Sequence, residues 1–403
     1  MTIQTVKQSR WVRILLGTLM MLPLGALNAW SIYRDSFAAI YTDWTTSDLS
    51  LNFTISMTCY CIGGFLGGKL SKRTSNAVTT CVGGVLMLVG YLVTSVLPQD
   101  PTVAKILLFV FYGVVSGFGL GLSYNAIVSG ISGWFPDRNG LATGILLTGF
   151  GLGTMLVGQV ASMFIPMIGL NMVFRVFGVI FCAVMVIGSP LARLPDSDIV
   201  LPSPPETAKT KGQQDYTTGE MMRRPTFWIF FLWNMLMCAS GLMLVSSAAN
   251  IASYYGAIAT LGLLLSVFNG LSRLPFGICL DIIGRRKTMV LANLFLLFSA
   301  VLMVWGGLTM RPIPVLAGML IMGVSYGNSV TIGALVVRQF YGSIHYATNL
   351  AIINCCAIPA SILGPMLAST LQEMSGGDYL TTFLAVLVFA VADLVIGFFV
   401  KKP

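Results

Sequence analysis

Apolar residues in this chain come in long unbroken runs, and polar residues gather in the short gaps between them. The runs cover roughly 11–33, 49–70, 77–97, 104–129, 141–165, 171–192, 226–250, 256–278, 288–308, 312–335, 347–372 and 379–400. A helix rising 1.5 Å per residue needs about 20 apolar residues to cross a hydrocarbon layer about 30 Å thick. Each run meets that length, so the pattern predicts an all-α membrane protein with twelve transmembrane helices, spans 1 to 12 in chain order. The first run follows Lys7, Arg10 and Arg13. It is too long for a signal-peptide core and lacks a small-residue cleavage site, so it reads as span 1.

One polar segment is long. Arg193 to Arg224 is rich in Pro, Ser, Thr and Lys and cannot build a core. It is expected to be a disordered cytoplasmic linker at 193–224, between an N-terminal six-helix bundle at 1–192 and a C-terminal six-helix bundle at 225–403. Its last residues, Gly219 to Pro225, are expected to form an interfacial helical turn. The two halves echo each other. Phe65 to Thr79 lies over Pro275 to Met289 at an offset of 210, and Ser123-Tyr124 over Ser325-Tyr326 at an offset of 202. Parallel repeats of this kind build transporters that rock around a central site.

Composition narrows the class. Charged residues make up 9% and hydrophobic residues 56% of the 403 residues, and mean hydropathy is +0.85; a water-soluble surface needs far more charge. The net charge of +9 raises nucleic acid as a partner, but its distribution argues against that. With the N-terminus in the cytoplasm, 18 of the 23 Lys and Arg residues fall in cytoplasmic segments. This is the positive-inside asymmetry of a multi-pass protein, here of the cell membrane, with both termini cytoplasmic. The eight cysteines lie in or beside apolar runs without metal-ligand spacing, and His345 is the single histidine. No metal, cofactor or catalytic residue is expected. GGFLGGKL (Gly63 to Leu70) has Leu70 where a phosphate-binding loop needs a hydroxyl, so ATP-driven chemistry has no support and the chain does not read as an enzyme.

The candidate chemistry starts at Arg273, a guanidinium inside the apolar stretch Tyr255 to Leu280. A charge at that depth persists where it faces a cavity or a partner. Its planar fork suits a carboxylate. The competing reading is a structural ion pair, for which Asp393 is the one acid well inside another span. Asn269 sits one turn earlier on the same face and can orient the guanidinium. Tyr124 and Tyr326 occupy the middle of spans 4 and 10 and can offer a ring and a hydroxyl to a small anion. Leu27-Asn28 in span 1 and Asn354-Cys355 in span 11, the latter ahead of the helix breaker Pro359, put polar amides at membrane depth that can line the cavity; helix-to-helix hydrogen bonding explains the two asparagines equally well. Glycines 140, 144, 149, 151 and 153 in span 5 permit close helix contacts. Proton coupling has the candidates Asp393, Asp35 and His345, and a proton can also travel on the substrate itself.

Gly277-Ile-Cys-Leu-Asp281-Ile-Ile-Gly284-Arg285-Arg286-Lys287 resembles the cytoplasmic loop signature of the major facilitator superfamily. In such a loop Gly277 allows close helix approach, Asp281 neutralises a helix end, and the basic run holds the membrane surface. The N-terminal copy is degraded, with Ser71 at the aspartate position. Trp134 to Gly144 (WFPDRNGLATG), Gly219 to Trp228 (GEMMRRPTFW) and Asn269-x3-Arg273-x3-Gly277 further resemble the branch of oxalate:formate antiporters and bacterial monocarboxylate (lactate) transporters. The resemblance implies the major facilitator fold of two pseudo-symmetric bundles, alternating access, and Arg273 at the family's carboxylate-binding position. It also implies Tyr124 and Tyr326 at aromatic cavity positions, closing the cavity from opposite halves. Three departures matter. The dicarboxylate antiporter's span 11 lysine is here Ala357, its tyrosine is here Phe150, and the aspartate that animal monocarboxylate carriers place a turn before the arginine is here Asn269. A single cation leaves a dianion partly uncompensated in a low-dielectric cavity. The expectation is therefore a monomeric secondary transporter, seated in the lipid bilayer, that moves a lactate- or pyruvate-like monocarboxylate coupled to a proton. An anion exchanger is the alternative, and a metabolite receptor that does not transport is a further one.

Overall fold

The computed structural model describes residues 3–196, 199, 201–202, 214–245 and 247–402. Among them twelve helices are long and apolar enough to cross a membrane. Span 1 runs from Ile3 to Ile40 as Ile3–Leu24, the tight turn Gly25–Leu27, and Trp30–Ile40. Spans 2 to 6 are Thr46–Arg73, Asn76–Thr94, Pro101–Ser132, Asn139–Ile168 and Leu170–Gly188. Spans 7 to 10 are Pro225–Val245, Ala259–Ile283, Arg285–Thr309 and Pro312–Tyr341. Span 11 has two segments, Tyr346–Asn354 and Ala357–Met374, and span 12 is Leu380–Phe399. Span 10 extends beyond the apolar run because Arg338 and its neighbours continue the helix to a Gly342 at φ 81°. Span 7 stops short at Val245, and a separate short helix, Ala248–Tyr254, follows.

Large apolar side chains on the outward faces are exposed, including Leu15, Ile187, Ile282, Ile313 and Phe398. In water such surface would drive aggregation; in lipid tails it is the required finish. The interior holds small residues and such aromatics as Tyr33, Phe135, Phe174 and Trp233.

Contacts divide the described chain into two compact units. The first is Met1–Ala142, Leu152–Pro205 and Tyr346–Ile352; the second is Thr143–Gly151, Glu206–His345 and Ile353–Pro403. Thr143–Gly151 of span 5 therefore group with the second unit, and Tyr346–Ile352 of span 11 with the first. Within the first unit span 2 packs on span 4, and span 3 on spans 4 and 6. Within the second, span 8 packs on span 10, and span 9 on spans 10 and 12. The same pairs recur six spans later, which is the internal repeat expressed as packing. Glycines set both principal contacts. A side chain at Gly117 or Gly121 would strike span 2 backbone at Ser56 and Tyr60, and one at Gly323 or Gly327 would strike span 8 backbone at Leu265 and Asn269. These contacts match spans 4 and 10 at a shift of 206 residues, one helical turn from the 202 of the sequence alignment. Tyr124 and Tyr326 are thus not equivalent positions of the repeat by packing but differ by one helical turn along spans 4 and 10. The middle of the linker, 203–213, lies outside the described residues.

Candidate functional site

Arg273 lies ten residues from the end of span 8, about 15 Å along the helix. It is 3% exposed. One terminal nitrogen donates to the Leu147 carbonyl of span 5 at 2.9 Å, and the other to Asn269 Oδ1 at 3.0 Å. The guanidinium carbon stands 5.5 Å from the Phe150 ring centroid, a cation–π distance. These two acceptors are neutral, and together they fix the plane of the fork. Span 5 comes this close because Gly144 and Gly151 carry no side chain. A Cβ on Gly151 would fall 2.6 Å from Gly270 Cα and 3.3 Å from Arg273 Cζ. The sequence thus brings Arg273, Asn269 and Phe150 together through spacing in span 8 and the glycines of span 5.

Tyr326 belongs to the same neighbourhood. It packs over Gly241 of span 7, beside Cys238 and Cys356, and within electrostatic range of Arg273. Tyr124 is buried in the first unit, its ring edge-on to Tyr60 with centroids 5.4 Å apart. Leu27 closes the tight turn Gly25–Leu27, and half-buried Asn28 caps it through its backbone N–H. Asn354 ends the first segment of span 11, and Cys355 lies in the break after it. The break precedes Pro359, which occupies the first turn of the second segment, where proline is tolerated. Asp35 forms an exposed ion pair with Arg34 at 3.3 Å, and His345 lies in the turn between spans 10 and 11.

The Major Facilitator Superfamily profile matches residues 14–268. The chain belongs to that superfamily. It is a multi-pass membrane transporter, not an enzyme. It is 25% identical over 407 aligned residues to the oxalate:formate antiporter of Oxalobacter formigenes, covering 96% of this chain and 92% of the relative. It is 31% identical over 145 residues to monocarboxylate transporter 9 of Pongo abelii, covering 34% of this chain and 28% of that one. Among solved structures, the proton:xylose symporter XylE bound to 6-bromo-6-deoxy-D-glucose aligns with a TM-score of 0.73 at 16% identity, covering 98% of this chain and 97% of that one. That likeness concerns the fold.

The major facilitator loop signature proves to be almost no loop. Gly277 and Asp281 lie inside span 8, Gly284 alone turns the chain at φ 77°, and Arg285, Arg286 and Lys287 form the first turn of span 9. Three cations at a helix N-terminus oppose the helix dipole. Arg285 is held there by the Val400 carbonyl at 3.2 Å and by the Phe340 ring at 4.3 Å. The other two motifs also have structural explanations. Asp137 of WFPDRNG takes both terminal nitrogens of Arg10, at 2.6 and 3.0 Å, while Arg13 stacks on Trp134 at 4.2 Å. At the start of GEMMRRPTFW, its Glu220 closes a reciprocal capping box with the preceding Thr217. Asp215 receives the backbone N–H groups of Ser343 and Ile344, at 2.7 and 2.9 Å, which docks the linker's end on the turn after span 10.

Sequence reading left out a buried polar file in the second unit. Cys238 of span 7 meets Ser329 of span 10 at 3.5 Å. Asn234 donates to the Cys356 sulfur at 3.1 Å, and Trp233 donates to Asn293 Oδ1 at 3.0 Å. Asn293 in turn donates to the Asp393 main-chain carbonyl at 3.3 Å. Small polar residues scattered singly in apolar runs gave no periodic signal from which this file could be assembled. Asp393 itself forms no ion pair with a described residue. The structural pairing with Arg273 weighed from sequence is therefore not made.

Proposed function

We propose that this transporter moves a small monocarboxylate of the lactate or pyruvate class, together with a proton, by alternating access. Arg273 binds the carboxylate, Asn269 orients the guanidinium, and Phe150 and Tyr326 supply an aromatic wall on the same side. Tyr124, Leu27, Asn28, Asn354 and Cys355 complete the substrate-contacting set in this reading. The observation that carries it is a buried guanidinium at mid-span whose plane is fixed by two neutral acceptors, a geometry suited to receiving an anion's charge. The likeness to a monocarboxylate transporter and to an oxalate:formate antiporter supports the substrate class. The charge distribution supports a cell-membrane protein with both termini in the cytoplasm.

Uptake of labelled lactate, pyruvate, formate and oxalate into proteoliposomes tests the reading. Arg273→Ala is expected to lower lactate uptake about 100-fold or more, since two charge-assisted hydrogen bonds are lost. Arg273→Lys is expected to fail to restore it, because a point charge cannot replace the fork. Undiminished uptake by both variants would remove Arg273 from the site.

Anion exchange is the second reading, favoured by the full-length likeness to the oxalate:formate antiporter. Against a dianion stands the absence of any Lys or Arg between His345 and Lys401. Counterflow that requires internal substrate and ignores pH would establish exchange.

A further inference from the structure

Span 12 carries one charged side chain, Asp393, six residues before its end at Phe399 and about 9 Å along the helix. Its relative exposure is 0%, and both carboxyl oxygens are shut from solvent with no hydrogen-bond partner among the described residues. The elements packed on span 12 supply no counter-charge beside it. Span 7 has no charged residue and offers the Cys238 thiol, within electrostatic range. Span 9 offers the Asn293 amide, spent on Trp233 and on the main-chain carbonyl of Asp393, with Arg285, Arg286 and Lys287 confined to its first turn. The second segment of span 11 has Glu373 at its far end and Cys356 at its start.

An isolated carboxylate buried in this way is among the costliest groups a protein can hold, and it neutralises by taking a proton. A buried acid used only for packing gains nothing over asparagine or leucine. A secondary transporter has a use for it: a carboxyl that is neutral when sealed and ionised when its surroundings open. The file from Cys238 through Ser329 to Tyr326 leads from this carboxyl toward Arg273.

We propose that Asp393 is the proton-carrying site of this transporter, its O–H bond forming with a proton from one compartment and breaking to release that proton to the other. This rests on the reading of the chain as a proton-coupled carrier, and it names the residue responsible. No oxidant or second reactant is involved. The anion and the proton then occupy separate places in the second unit, the anion on span 8 and the proton on span 12.

Two measurements test the assignment. In purified protein in lipid nanodiscs, infrared difference spectra across a pH jump are expected to show a protonated-carboxyl stretch that D393N lacks. In proteoliposomes, D393N is expected to exchange labelled lactate as wild type does, yet fail to accumulate it under an imposed pH gradient. A carboxyl band unchanged in D393N, or wild-type accumulation by D393N, overturns the proposal. Should D393N not fold, D393E replaces it, and a band that keeps its frequency in D393E also overturns it. The infrared result needs no substrate. If wild type moves no lactate while the band vanishes in D393N, the proton site stands and the monocarboxylate reading falls.

Discussion

A guanidinium holds its plane inside a membrane protein only when something grips it. Here the Leu147 carbonyl and the Asn269 amide do so, from two different helices. A hydrogen bond to a charged group is worth about 1.5–3 kcal/mol. Asn269→Ala is therefore expected to raise the KM for lactate about tenfold or more while leaving expression intact. An unchanged KM would mean that the amide does not orient the fork. Arg273 and Asn269 were legible in the sequence, because a lone charge in an apolar run is conspicuous and a spacing of four puts its neighbour on the same helix face. Leu147 was not legible. A main-chain carbonyl has no sequence signature, and only the approach allowed by Gly151 brings it within reach.

At the scale of elements, the apolar runs located most spans to within a few residues, because hydrocarbon thickness dictates helix length; spans 1 and 10 run longer and span 7 ends earlier. What the runs could not mark was where helices break. Span 1 breaks at Gly25–Leu27 and span 11 at Cys355-Cys356; both remain apolar enough to hide the interruption, and Asn28 and Asn354 were the only local hints. The gap between the runs and the resemblance to the family's loop signature point to a loop between spans 8 and 9. Helical hydrogen bonding claims its basic residues instead and leaves Gly284 to make the turn. With φ at 77° and no atom within 4 Å of where a side chain would begin, substitution there is a matter of backbone strain alone. Gly284→Ala is expected to cost about 1–3 kcal/mol, because φ 77° with ψ 167° is a conformation nearly confined to glycine, lowering the melting temperature of the purified protein without changing the KM for lactate. A KM shift would instead tie this turn to the substrate site.

For the molecule as a whole, the repeat was visible in the sequence but its register was not. Aligned residues put Tyr124 over Tyr326, while the glycine contacts within each unit match spans 4 and 10 at a register one helical turn different. Apolar helices resemble one another at several registers, and packing alone selects one. Orientation in the bilayer follows from charge. Lys402→Cys is expected to react with a membrane-impermeant maleimide only after cells are permeabilised, with the unsubstituted protein setting the background from its eight cysteines. Labelling in intact cells would invert the topology.

A turn made by a single residue has no slack. In the proposed cycle, a tug exerted by the anion on the helix bearing Arg273 passes through Gly284 to the next one, whose Asn293 donates to the backbone of Asp393. Cargo and proton would in this way be mechanically harnessed, and loosening that turn with inserted residues is expected to let one slip past the other.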